Sequence, residues 1–164
     1  MIIETLRRLP KVDCNVYFVG TIQEEVGLRG ATIAAFQIKP DVGIALDASV
    51  AGDMPGVEEG EAPAKMGEGP VVTVADAGLI VHPKVLRLII DSAKQNKIPY
   101  QLETGIRGAT DAARIALSRE GVPSGVVSVP VRYIHSPAAI LNLDDVEKAV
   151  EIVVSTLANV SKHF

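Results

Sequence analysis

The chain lacks several features that would point to particular functions. It has no tryptophan, and its only cysteine is Cys14, so no disulfide can form within the chain. Its 16 basic and 20 acidic side chains give a net charge of −4 and form no basic stripe, which argues against nucleic acid as a partner. No apolar run approaches the about 20 residues of a membrane span, and the first arginines follow apolar residues, the wrong order for a signal peptide. We therefore expect a cytoplasmic protein without a membrane partner.

What is present favours a sheet covered by helices. Hydrophobic residues make up 48% of the 164 residues, and most are Val, Ile, Leu and Ala rather than aromatic. The length suits one domain with a substantial core. Residues 51–70 are rich in Gly, Pro and Glu, which predicts a long loop.

Apolar periodicity predicts alternating strands and helices. Strands are predicted at 15–21, 42–47, 71–76, 99–103 and 124–135, the last with Pro130 as a candidate break. Helices are predicted at 82–97, 110–121 and 141–160, and residues 2–9 resemble the end of a helix that Pro10 stops. This order predicts an α/β fold with three α/β/α layers and a mostly parallel or mixed sheet.

Side chains suited to metal binding follow three of the apolar runs. Glu24 and Glu25 come after the first run, Asp47 follows the second, and His135 follows the last. Ligands of open α/β sheets bind at the carboxyl ends of strands, and these oxygen and nitrogen donors suit Zn, Mn or Co. Taken singly, the glutamates suit a solvated loop, Asp47 an Asx turn and His135 an ordinary turn. Their joint placement predicts a metal site.

The two adjacent glutamates suggest a division of labour. Neighbouring side chains in an extended segment point in different directions, so one carboxylate can bind a metal while the other faces water or substrate. This arrangement fits metal-assisted hydrolysis, in which a carboxylate removes a proton from water. Gly27 and Gly30 would let the chain turn sharply beside the site.

Other chemistries fit less well. The sequence has neither a G-x-S-x-G elbow nor a phosphate-binding G-x-x-x-x-G-K-[ST] loop. Cys14 sits in a strand-like context, where we expect an inert, buried thiol. Glu24 and Asp47 could serve as the two carboxylates of a glycosidase. That interpretation leaves His135 unexplained and lacks the usual aromatic sugar platform.

Four motifs, taken together and in this order, resemble the dinuclear-metal aminopeptidases of the TET and glutamyl-aminopeptidase kind, which are often labelled endoglucanase or cellulase. The motifs are TIQEEVGLRGA (21–31), ALDASVAGDMPG (45–56), GATDAARIA (108–116) and GVPSGVVSVPVRYIHSPAAILNLDDVEKAV (121–150). The resemblance covers essentially the whole chain. It implies a zinc-peptidase-like α/β/α fold and the removal of N-terminal residues from peptides.

The same resemblance implies a role for each candidate residue. Glu24 matches the general base, Glu25 a ligand of one metal, Asp47 a ligand of the other, and His135 a ligand on the same metal as Glu25. Two divalent ions, zinc or cobalt, are implied for the full family site. Water would attack the scissile carbonyl while Glu24 removes its proton and then protonates the leaving amine.

Two departures from the family pattern stand out. Ala109 replaces the glycine that usually precedes Thr110 and Asp111. The family's upstream histidine ligand, its metal-bridging aspartate and its PDZ-like β domain have no counterpart here, and His82 and His163 are poor substitutes. The resemblance therefore implies that residues 1–164 are a single domain, the C-terminal part of an aminopeptidase catalytic domain.

Three interpretations of the chain stay open. A partner polypeptide or another piece of the protein could supply them, the chain could be a catalytically silent remnant, or it could be a glycosidase. We expect weak or partial metal binding and little peptidase activity from this chain alone. We also expect a homo-oligomer, because a sheet without its upstream strands exposes an edge and an apolar face.

Overall fold

The computed structural model describes residues 1–57, 60, 62–105 and 108–164. The helices are α1 (Ile2–Arg8), α2 (Arg29–Ile38), α3 (Pro83–Gln95), α4 (Asp111–Ala116) and α5 (Leu143–Asn159), which a 3-10 turn (Val160–Lys162) follows. The strands are β1 (Gly43–Val50), β2 (Val71–Ala75), β3 (Gln101–Thr104), β4 (Ser124–Arg132) and β5 (Ile140–Leu141).

The strands form one mixed sheet in the order β1-β4-β2-β3. β1 runs parallel to β4, and β2 runs parallel to β3. β4 pairs antiparallel with both β2 and the short β5. The parallel β1–β4 pair brings the carboxyl ends of both strands to the same edge of the sheet.

Helices cover both faces of this sheet, which confirms the predicted three layers. On one face, α3 and α5 bury apolar side chains against β2 and β4, among them Val85, Ile89, Val127 and Ile152. On the other face, α4 packs over β1 and β4, and α2 packs against α4. The core on this side includes Leu28, Ala45, Ala112 and Val126. None of the helices in the described ranges is long and apolar enough to cross a membrane.

The prediction of a buried strand at 15–21 is wrong. This segment does not form a strand, and side chains along it alternate between half-buried, as at Val16 and Phe18, and exposed, as at Asn15 and Tyr17. The alternation is typical of an extended chain. Within the described residues, no strand forms backbone hydrogen bonds with 15–21, and the edge strand β1 pairs with β4 alone. Cys14, which directly precedes this segment and was predicted to be buried, is half-buried.

Strand β4 continues through Pro130, so the candidate break does not occur. The carbonyl of Val131 accepts a hydrogen bond from the Ala51 N–H on the β1 side, at 3.0 Å. Adjacent residues direct their backbone groups to opposite sides, so Pro130 faces away from β1. On the side away from β1, the pairing of β4 with β2 ends at Ser128 and its pairing with β5 begins at Val131. Pro130, which has no N–H to donate, lies between these two paired stretches.

Helix α2 is missing from the sequence-based prediction, which assigned no element to residues 29–38. Helix α4 ends at Ala116, several residues before the predicted stop at Gly121. Gly121 instead closes a turn with φ +101°, and its N–H donates to the carbonyl of Ser118. Both helices are too short to be stable in isolation, so their extent depends on tertiary packing rather than on propensity alone.

The predicted loop at 51–70 is confirmed for the residues that the structure describes, while residues 58, 59 and 61 lie outside them. Helix α5 anchors the end of this loop. The fully buried carboxylate of Asp145 accepts hydrogen bonds from the N–H groups of Gly67 and Gly69, at 2.6 and 2.9 Å.

Candidate functional site

Glu24 and Glu25 lie in a tight turn rather than in the extended segment that the sequence suggested. The carbonyl of Glu24 accepts hydrogen bonds from the N–H groups of Gly27 and Leu28, at 3.1 and 2.8 Å. The turn still separates the two side chains, because Glu24 is half-buried and Glu25 is exposed. The two carboxylates therefore lie in different surroundings, and their division of labour stays a prediction.

Both predicted turn glycines have a structural reason. Gly27 has φ +115°, a conformation that side chains with a Cβ rarely adopt. At Gly30 a Cβ would lie 2.5 Å from the backbone nitrogen of Ile22, so only glycine allows the two segments to approach this closely. Leu28, which is buried on the α2 side of the sheet, then begins the helix. The start of α2 thus holds the glutamate turn against the sheet.

Asp47 lies inside β1 and not at its carboxyl end, which corrects the sequence-based placement. The strand runs on to Val50, and Asp47 pairs with Ser128 of β4. Its carboxylate accepts a hydrogen bond from the neighbouring Ala48 N–H at 2.7 Å. The small Ala48 and Ser49 extend the strand because β4 remains available as a partner.

His135 lies three residues beyond the end of β4, close to the glutamate turn. Its Nδ1 atom is 3.4 Å from Oε1 of Glu25. His82 caps the start of α3, where its backbone N–H donates to the carbonyl of Ser124, the first residue of β4. The two histidines therefore lie at opposite ends of the same strand, and His82 cannot replace a ligand beside His135.

Asp111 joins this cluster, although the sequence-based prediction left its role open. It is the first residue of α4, and one of its carboxylate oxygens accepts a hydrogen bond from the Thr21 hydroxyl at 2.6 Å. Its other oxygen is buried and has no hydrogen-bond partner among the described residues. The GATD motif at 108–111 was the available signal, but it did not show which element faces Asp111.

The charges of this cluster act on one another. Burial raises the pKa of Glu24 above its ordinary value, and the negative charges of Asp47, Asp111 and Glu25 raise it further, against the opposing effect of His135. Burial also raises the pKa of Asp47, with Asp111 and Glu25 adding to the effect. The Ala48 N–H and His135 act in the opposite direction on Asp47. The carboxylates are therefore close enough together to repel one another.

The donor set fits divalent metal ions in its chemistry but is incomplete. Glu25, Asp47 and His135 offer the oxygen and nitrogen atoms that zinc prefers, and the crowding of negative charge would be relieved by a cation. In the described part of the chain, no group of three or more His, Cys, Asp or Glu side chains is arranged to hold a metal ion. A catalytic zinc usually has three protein ligands, so Glu25 and His135 by themselves do not complete such a site.

Comparison with known proteins shows close similarity to one family. Residues 1–152 match the family described as M42 glutamyl aminopeptidase. A putative aminopeptidase of Acetivibrio thermocellus is 45% identical over 157 residues, which are 96% of this chain and 47% of that protein. The lysyl aminopeptidase of Pyrococcus furiosus is 38% identical over 151 residues, covering 92% of this chain and 42% of that protein. The chain thus spans less than half the length of these curated relatives.

Solved structures agree with this similarity. An aminopeptidase from the archaeon Desulfurococcus kamchatkensis superposes with a TM-score of 0.93 at 42% identity, over 96% of this chain and 45% of that one. The TET1 peptidase of Pyrococcus horikoshii, which can assemble into a tetrahedron or a large octahedral shell, superposes with a TM-score of 0.69 at 31% identity, covering 84% of this chain and 39% of that one. A Thermotoga maritima protein named endoglucanase gives a TM-score of 0.61 at 31% identity, over 79% of this chain and 37% of that protein.

Proposed function

Since the chain belongs to the M42 glutamyl aminopeptidase family, we propose that its 164 residues form the C-terminal part of a metal-dependent aminopeptidase catalytic domain. Its contribution would be a general base and three metal ligands to a site that removes N-terminal residues from peptides. The observation that carries the proposal is the meeting of Glu25 and His135 beside the half-buried Glu24, within motifs that match the family.

The residues take separate roles in this proposal. Glu25 and His135 would hold one divalent ion, and Asp47 would contribute to the other. Members of the family use divalent metals, and such ions, when bound, lower the pKa of water and polarise a carbonyl group. Glu24 accepts the proton of the attacking water on its carboxylate and then donates it to the leaving amine.

The electrostatics of Glu24 suit this role. A general base works best when its pKa approaches the operating pH, and the ordinary pKa of a glutamate is well below 7. Burial and the neighbouring carboxylates move the pKa of Glu24 upwards, towards the useful range. The exposed Glu25 faces His135 instead, which suits a ligand.

A complete site needs residues beyond these 164. We infer that the part of the relatives that this chain does not span supplies the remaining ligands, as another piece of the protein or as a partner polypeptide. The chain alone would then bind metal weakly and hydrolyse little peptide. We also propose that it self-associates, as the TET1 relative does.

A chimera tests this proposal. The upstream half of the Acetivibrio thermocellus relative, fused to residues 1–164, should hydrolyse an aminoacyl p-nitroanilide when zinc or cobalt is added, while the chain alone should not. In the chimera, Glu24→Gln should lower kcat by about 10²–10⁴-fold, the usual contribution of a general base. Glu120→Gln changes an exposed glutamate away from the site and should leave kcat unchanged.

Two outcomes would contradict the proposal. Full activity of the Glu24→Gln chimera would exclude Glu24 as the base, and robust hydrolysis by the isolated chain would exclude the need for further ligands.

Glycosidase activity, which the endoglucanase name of the Thermotoga maritima relative suggests, is tested separately by measuring reducing ends released from cellulose oligomers. We expect none, because the chain belongs to a family of aminopeptidases and the glycosidase interpretation gives His135 no role.

A further inference from the structure

His135 receives little support for its side chain. The imidazole is 66% exposed, and its neighbour Glu25 is 71% exposed. Apart from that 3.4 Å contact, the described residues provide no hydrogen bond to the ring. Metal-binding histidines are usually oriented by a hydrogen bond to the second ring nitrogen. Here the backbone has to place the ring.

That backbone adopts a costly conformation. His135 has φ +60° and Tyr133 has φ +59°, in the left-handed region that residues with a Cβ rarely occupy. The carbonyl of Tyr133 accepts hydrogen bonds from the Ser136 N–H at 3.2 Å and from the Ser136 hydroxyl at 2.5 Å. These bonds close the turn upon itself but do not attach it to the rest of the molecule.

The attachment comes from the start of the 51–70 loop. Arg132, the last residue of β4, donates from Nε to Oδ1 of Asp53 at 3.1 Å and from Nη2 to Oδ2 at 2.5 Å. The Tyr133 N–H donates to the sulfur of Met54 at 3.2 Å. The two side chains of the ion pair are only 32% and 22% exposed, so the two-point contact is partly shielded from water.

Asp53 is itself presented by a fixed stretch of backbone. The N–H of Ala51 donates to the carbonyl of Val131 at 3.0 Å, and that of Gly52 donates to the carbonyl of Ala64 at 2.7 Å. A Cβ at Gly52 would lie 1.7 Å from the carbonyl oxygen of Ala62, so the loop packs directly on this glycine. The segment before Asp53 is therefore held on both sides.

We propose that Asp53 and Arg132 are positioning residues, whose two-point ion pair fixes the left-handed turn at 133–136 and thereby directs His135 towards Glu25. The part of this proposal that concerns metal rests on the proposed function, since it takes His135 as a ligand. The part that concerns the turn does not depend on it. Neither residue touches the reacting atoms.

Variants of the full chain separate these effects. Asp53→Asn and Arg132→Gln each remove one charge of the pair, and the double variant should be no worse than either single variant because the two act as one unit. Glu147→Gln breaks the ion pair with Arg8 between α5 and α1, away from the site, and serves as the matched control. Thermal unfolding verifies that each variant is folded.

The first readout needs no metal. NMR relaxation should give the His135 amide an order parameter near 0.85 in the unchanged chain and in Glu147→Gln, and below about 0.6 in Asp53→Asn and Arg132→Gln. Equal order parameters in all four proteins would overturn the proposal. A fall of similar size in Glu147→Gln would overturn it too, because the effect would then be general loosening.

The second readout uses cobalt ions alone, added to the chain and followed by the shifts of NMR signals around His135. Loss of an outer partner of a metal ligand typically weakens binding 10- to 100-fold, and we expect about 10-fold for Asp53→Asn and Arg132→Gln. Unchanged affinity in both would count against the positioning role. If His135→Gln leaves cobalt binding unaltered, the ligand assignment in the proposed function fails, while the order parameters still decide the role of the ion pair.

Discussion

At the scale of single residues, the candidate site concentrates negative charge that the fold does not neutralise. Glu24 and Asp47 both have a raised pKa, first because they are partly buried and then because other carboxylates lie near them. Asp111 adds a buried oxygen without a partner among the described residues. Such groups lower the stability of a protein, and functional sites are where proteins usually carry them.

Replacing Asp47 with Asn should stabilise the chain at neutral pH. The folded pKa of Asp47 is raised, so the folded state holds more protons than the unfolded state between the ordinary and the folded value. The free energy of unfolding therefore falls as pH rises through this window, and the whole penalty is present above it. The neutral amide keeps an acceptor for the Ala48 N–H and should add roughly 0.5–2 kcal/mol at pH 7.

Urea denaturation at pH 7 and at about pH 4 measures this effect. The gain should shrink as pH falls, because Asp47 itself becomes neutral. Asp13→Asn, at an exposed position in the irregular segment before the site, should change little at either pH. A loss of stability in Asp47→Asn at pH 7 would show that the carboxylate is favourable where it lies.

At the scale of secondary-structure elements, the close approach between the glutamate turn and helix α2 holds the site on the sheet. The Gly30 N–H donates to the carbonyl of Ile22 at 2.9 Å, and Leu28 adopts a left-handed conformation as the helix begins. The extended segment before the turn has no strand partner, so the turn depends on its connection to α2 rather than on a ladder.

Gly30→Ala should therefore destabilise the chain, although alanine is the better helix former by about 1 kcal/mol. The new Cβ would lie 2.5 and 2.6 Å from the backbone nitrogen and oxygen of Ile22, and backbone atoms cannot move aside as a flexible side chain can. We expect a net cost of about 1–3 kcal/mol, the usual range for overpacking.

Gly20→Ala is the matched control for urea denaturation. A Cβ at Gly20 meets no atom within 4 Å, so the change should stay within about 0.5 kcal/mol. Equal midpoints for the two variants would mean that Ile22 and Gly30 can separate without loss.

At the scale of the whole molecule, the fold leaves several large apolar side chains exposed on one face. Ile33 and Phe36 on α2 are 61% and 57% exposed, and Leu117 beside α4 is 74% exposed, so the three mark one apolar face over the α2–α4 layer. Strand β1 lies at an edge of the sheet and, within the described residues, pairs on one side only. Exposed edges and apolar faces of this kind promote association.

Self-association should appear in light scattering as a mass well above the 17.3 kDa of one chain. Ile33→Glu places a charge on this face and should lower the measured mass. Leu143→Glu changes a similarly exposed residue at the first turn of α5, on the other side of the sheet, and should leave the mass unchanged. A single-chain mass for the unchanged protein would contradict the prediction.

The sequence alone predicted the three-layer class, because long runs such as those of β4 and α5 show their period and must be buried whatever surrounds them. It also predicted Glu24, Glu25, Asp47 and His135 as site residues, since each follows or belongs to a recognisable run of apolar residues. Their roles as base and ligands remain predictions. The motif resemblance indicated the family, which the match over residues 1–152 bears out.

Only the tertiary structure decided where strands find partners and which distant residues meet. Residues 15–21 have strand composition, but a strand also needs a neighbour, and none of the described strands pairs with it. Asp47 lies within β1 because β4 continues beside it. The bond of Asp111 to Thr21 and that of Arg132 to Asp53 join residues 90 and 79 positions apart, a pairing that no local pattern encodes. Composition and periodicity fix what must be buried, whereas contacts between distant segments depend on how the layers pack.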